Sequence, residues 1–146
     1  LSDPHDLERF VRAQSGVYET ALAELRAGRK RSHWMWFIFP QIAGLGLSDM
    51  ARRYAIASLA EARAYLAHPV LGPRLLACVE AMLAHPTVSA TTILGGIDAV
   101  KLRSSMTLFS RAADDPAPFD ACLAAFFDGE PDPATLDRLG RSAALQ

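Results

Sequence analysis

Cysteine is scarce in this chain of 146 residues: Cys78 and Cys122 stand far apart and belong to no CxxC pair. That disfavours a disulfide framework or a cysteine-built zinc knuckle and leaves reduced thiols as the expectation. Net charge is nearly absent too. Fifteen Lys and Arg against sixteen Asp and Glu give -1, so no global field gathers DNA or an anionic membrane surface. No apolar run approaches the length needed to cross a bilayer. The opening LSDPHDLERF lacks the basic and apolar regions of a secretion signal, so a cytoplasmic, soluble protein without membrane partners is expected. The HExxH zinc motif, the phosphate-cradling GxxxxGK(S/T) loop and the GxSxG nucleophile elbow are all missing. Four dispersed histidines, His5, His33, His68 and His85, offer no ligand spacing, so neither a metal nor a cofactor is expected.

What is present is apolar material, 51% of residues against 21% charged. That suffices for one self-standing domain over residues 1–146. Helical spacing recurs along most of the chain. Helices are expected near 6–14, from Tyr18 to about 27 with Gly28 as a left-handed cap, and over 59–67 behind a Ser58–Glu61 capping box. The stripe Leu71, Leu75, Val79, Met82 and Leu83 marks a longer helix that ends before His85-Pro86. Residues 97–112 carry apolar side chains on two opposite arcs, as a central helix with partners on both sides would. A brief helix near 49–54, a short one over 119–127 and a last amphipathic turn after Asp132-Pro133 complete the reading. No strand alternation is evident, although 33–39 could be a buried strand or a short helix stopped by Pro40, the helix being preferred. The expected fold is all-α, an irregular multihelical single domain with central buried helices.

Two constellations could carry chemistry. In the first, Trp34 and Trp36 sit within His33–Gln41, with Lys30 ahead and Gln41 behind. It reads either as core with polar ends or as an aromatic wall for a planar ligand, with His33 as candidate acid or base. In the second, Lys101, Ser104 and Ser105 share a helix face, and Ser104 falls in an apolar arc with Ile97, Val100 and Leu108. A hydroxyl there needs a partner, so the group reads either as a grip for phosphate or carboxylate or as serines bonded back to their own helix. A Ser/Lys nucleophile pair is the weaker alternative, because no third orienting group is identifiable. The Gly44–Asp49 loop could add backbone donors at Gly46 and Ser48. Trp34, Trp36 and the basic run Arg29–Arg31 also match single-strand nucleic-acid binding, which the neutral charge disfavours.

Gly28-Arg29-Lys30, HWMWFIFPQ at 33–41, Gly44-Leu45-Gly46, Tyr54, HPVLGPRL at 68–75 and KLRSSMTLF at 101–109 together resemble a small family known only as a domain of unknown function. Its members often carry the label calpastatin. The likeness runs from residue 5 to residue 128 and implies a multihelical all-α fold in soluble, mostly bacterial proteins, without an established activity or catalytic residues. The calpastatin label conflicts with the composition, because that inhibitor is a long disordered chain. The Glu61-Ala62 helix with HPVLGPRL is also similar to proteins that process ADP-ribose or related glycosides, which suggests a ligand class only.

The sequence thus supports a small-molecule enzyme or binder with an aromatic-lined, anion-gripping pocket, for which a nucleotide-derived ligand is the best match. The rival is a protein-interaction or homo-oligomerisation domain.

Overall fold

The computed structural model describes residues 2–145, with side chains as far as Gly140. Among these residues there are ten helices, and the one β-type pairing is an isolated parallel bridge between Ile42 and Ile56. The all-α expectation is met.

The N-terminal helices form where local signals agree. Asp3 accepts the backbone N–H groups of Leu7 (2.8 Å) and Glu8 (3.0 Å), capping α1 (Glu8–Gln14). The helix starts two residues later than expected because Asp6 takes a left-handed conformation, φ 49°. Helix α2 (Tyr18–Arg26) ends at Gly28, whose φ of 76° suits a residue without Cβ. The aromatic block is helical, as preferred: α3 (Met35–Ile38) is one turn that stops before Pro40. Ser48 caps α4 (Asp49–Arg53), its Oγ accepting from the Ala51 N–H at 3.1 Å.

Only half of the expected capping box before α5 (Leu59–Ala67) is formed. Ser58 Oγ accepts the Glu61 N–H at 3.2 Å, but Glu61 turns to the Ala57 N–H and to Arg9 instead of closing back on Ser58. The ion pair with Arg9, at 2.8 Å, outcompetes the local cap. Helix α6 (Leu71–Leu83) buries the predicted stripe except Leu83, which is half-buried. Gly72 allows α6 to meet the end of α5, since a Cβ there would lie 2.2 Å from the Leu66 carbonyl oxygen.

A helix not anticipated, α7 (Ala90–Leu94), is capped by Ser89 Oγ on the Thr92 N–H at 3.0 Å. Its Thr91-Thr92-Ile93 run is β-branched, which hides a helix from propensity. Gly95, at φ 91°, turns the chain into α8 (Gly96–Ala112), which packs against α5, α7, α9 (Ala117–Phe127) and α10 (Pro133–Leu145). The last element is therefore a full helix, not a turn.

Helix α8 is central in its C-terminal two-thirds, where Leu102, Met106, Leu108 and Phe109 are buried. The expected inward arc fails at its start: Ile97 and Val100 are 77% and 62% exposed, left uncovered by the described helices. A polar knot ties α1, α3, α5 and α6 within the core. Buried Gln14 donates to the Phe37 carbonyl (2.8 Å) and to Tyr65 Oη (3.1 Å) while accepting from Arg74 (3.2 Å). Burial pushes the Tyr65 phenol well above its ordinary range, although the Gln14 bond opposes the shift.

Candidate functional site

The site begins with Glu24 on α2. Its carboxylate accepts four hydrogen bonds from the following loop: the backbone N–H of Arg31 (2.8 Å) and Ser32 (3.1 Å), the Ser32 hydroxyl (2.7 Å) and the Trp34 indole N–H (2.9 Å). Partial burial works against the charge, but these donors outweigh it and hold the carboxyl at about 2. Residues 30–34 are thereby pinned, and the Lys30 N–H donates to the Ile93 carbonyl at 2.7 Å.

The folded-state value lies below the unfolded one, so the stabilisation is present above pH 4.5 and lost as pH falls toward 2. Discounted for solvent screening, it is worth about 1–2 kcal/mol. Glu24→Gln should be less stable than wild type at pH 7, with the gap closing below pH 4.5. Urea midpoints across that range check this, and a constant gap would contradict it.

The pinned loop brings Lys30 to α8. Asp98 lies between two ammonium groups, Lys30 Nζ at 3.0 Å and Lys101 Nζ at 3.6 Å. Lys30 lies over the Trp34 ring (5.1 Å) and Lys101 over the Trp36 ring (5.2 Å). Two cations share one carboxylate beside α8, and all three side chains are largely buried.

Next to it opens a cavity of about 420 Å³. Leu45, Ile97, Val100 and Ala134 make its apolar walls, while Gln41, Gly46, Lys101, Ser104 and Asp132 supply the polar surface. The Ser104 hydroxyl is directed to the Val100 carbonyl (3.2 Å) and to Asp132 Oδ2 (3.3 Å). The same Oδ2 accepts the Thr135 N–H (2.9 Å) and hydroxyl (2.6 Å), which caps α10. The segment before α10 is held down on α8: Arg103 donates to the Glu130 and Pro131 carbonyls at 2.9 and 3.0 Å, and the Asp132 N–H donates to Thr107 Oγ1 at 2.8 Å.

The structure thus brings Gln41, Gly46, Lys101 and Ser104 to one concavity. Lys30 and Trp36 adjoin it through Asp98 and Lys101. The other sequence candidates lie elsewhere. Trp34 is fully buried with its N–H committed to Glu24, His33 is exposed and lines none of these walls, and Ser48 caps α4. Ser105 is buried, and its Oγ lacks a hydrogen-bond partner among the described residues. Asp98 and Asp132 were missed, since each reads in sequence as an ordinary acid at a helix start. The only available signal was Ser104 itself, a hydroxyl in need of a partner.

The alternatives are chemically poor. Burial pushes both the Cys78 and Cys122 thiols up to about 12, which leaves almost no thiolate at neutral pH. No cluster of three or more His, Cys, Asp or Glu among the described residues could hold a metal. No single described helix is long and apolar enough to cross a membrane. A void of about 500 Å³ between Leu59, Arg111, Leu136, Leu139 and Gly140 is larger, but Arg111 is the one charged group among the described residues that line it.

Residues 4–139 match the family described as "Protein of unknown function (DUF1810)". The chain belongs to this family. Family membership brings no activity with it. A solved structure similar to this chain is the conserved hypothetical protein Rv1873 from Mycobacterium tuberculosis, 52% identical with a TM-score of 0.90. The match covers 94% of this chain and 99% of that one. No curated protein matches.

Proposed function

We propose that the cavity beside α8 is a binding site for a small, planar, anionic molecule, with nucleotide-derived compounds as the ligand class. The observation that carries this reading is that Gln41 and Gly46, far from Lys101 and Ser104 in sequence, line the same cavity. Its volume, about 420 Å³, lies in the range of roughly 300–1,000 Å³ that small-molecule sites occupy. The ligand's anionic group would meet Lys101, with Lys30 beside it, its flat body the apolar walls, and its polar edge Gln41 and the Gly46 backbone. Binding is proposed here, not catalysis. Lys101 is paired with Asp98, and the Ser104 hydroxyl is directed to a backbone carbonyl and to Asp132, so no activated nucleophile is assembled.

Adenosine monophosphate should raise the melting temperature of the wild type, because a ligand of the native state stabilises it by mass action. By calorimetry Lys101→Ala should weaken that binding at least about tenfold, the loss expected when a charge-assisted contact is removed. Arg111→Ala, at the other void, should bind as wild type does.

A second reading has its own observation: Leu47 (77% exposed), Ile97 and Val100 are large apolar side chains left in solvent around the two adjoining cavities that share Gln41 and Gly46. Such a patch suits association with a protein or a second copy. It predicts a mass that rises with concentration and no nucleotide-induced shift.

A further inference from the structure

Asp132 gives the cavity a property that an anion grip does not need. Its Oδ2 accepts both donors of Thr135, and the Ser104 hydroxyl shares its one proton between that oxygen and the Val100 carbonyl. Its Oδ1 accepts no hydrogen bond from the protein among the described residues, although Asp132 lines the cavity. A carboxylate oriented by the Thr135 donors on one oxygen presents the other as a preorganised acceptor. A pure anion would be repelled there, whereas a hydroxyl or amino group would be bound. Lys101 and Ser104, the carboxylate's neighbour, stand three residues apart on α8, a rise of about 4.5 Å.

Resting on the binding reading above, we infer that Asp132 selects ligands carrying a hydroxyl or amino donor roughly one helical turn from their anionic group, and so discriminates against simple anions. Gln41 extends the same preference: it lines the cavity, and its side-chain amide, without a hydrogen bond among the described residues, can both donate and accept. With Oδ2 occupied by the protein, Oδ1 is the oxygen left for the ligand's donor.

Asp132→Asn is the discriminating variant. Asn remains a good N-cap and can still accept from Thr135, but it puts an NH2 where Oδ1 stood. Calorimetric titrations of wild type, Asp132→Asn and Lys101→Ala would use ribose 5-phosphate, glucosamine 6-phosphate and inorganic phosphate. Wild type should prefer at least one of the two sugar phosphates over inorganic phosphate by at least about tenfold, from one charge-assisted hydrogen bond. In Asp132→Asn that preference should collapse while inorganic phosphate binding stays level or tightens. Lys101→Ala should weaken all probes. The two sugars separate a hydroxyl from an amino donor as the preferred group. An undiminished preference in Asp132→Asn would overturn the role of Asp132 and leave the binding site standing. Failure of every probe, together with adenosine monophosphate, to bind wild type would overturn both.

Discussion

Arg9→Met is expected to destabilise the fold by about 3–5 kcal/mol, the cost of leaving a buried charge without its partner. Every N–H of the Arg9 guanidinium is used: Nε on the Arg53 carbonyl, Nη1 on those of His5 and Asp6, and Nη2 on the Ala55 carbonyl and Glu61 Oε2. Five donors meet five acceptors, and the cation ties the N-terminus to the chain between α4 and α5. Its partner Glu61 is 4% exposed, so removing Arg9 strands a carboxylate where water cannot reach it freely. Equilibrium urea unfolding should show the loss, with a fall in melting temperature on the order of 10 °C. Arg9→Lys restores the charge but not the fork, and should recover only part of the stability. Wild-type stability in the Lys variant would show that the fork geometry is not what matters.

Phe109→Ala should cost a similar amount, about 3–5 kcal/mol, by cavity formation and lost burial. Phe10, Tyr65, Phe109 and Phe119 form a continuous aromatic chain with centroid separations of 5.1, 5.3 and 5.9 Å. It runs from α1 through α5 and α8 to α9, and Phe109 is the link on α8. Phe109→Leu should lose much less, since it keeps most of the volume. Chemical denaturation of both variants gives the comparison, and equal losses would mean that the aromatic contacts, not the filled volume, dominate.

What was legible in the sequence is what local rules control. Helices α5 and α6 fall where the Ser58 cap and the Leu71–Leu83 stripe place them. The central helix was recognisable from its two apolar arcs. Errors arose where a distant residue decides the local conformation. Glu61 abandons the capping box for Arg9, 52 positions away, and Ile97 stays exposed because none of the described elements covers it. The same division holds for the site. Lys101 and Ser104 could be paired by helical spacing, and Gln41 by its place after an aromatic run. Asp98 was overlooked because its meaning depends on Lys30, brought near by Glu24 and the turn after α2. Asp132 acquires its place only when Thr107 and Arg103 hold the chain before α10 down on α8. His33 adjoins the aromatic block in sequence, yet the chain turns it outward before α3 begins.

The most direct test is an amide-resolved NMR titration of the wild-type chain with adenosine monophosphate. Shifts concentrated at Gln41, Gly46, Lys101, Ser104 and Asp132 are the predicted result. A saturating nucleotide that leaves those amides in place, or moves only residues remote from α8, would contradict the binding site.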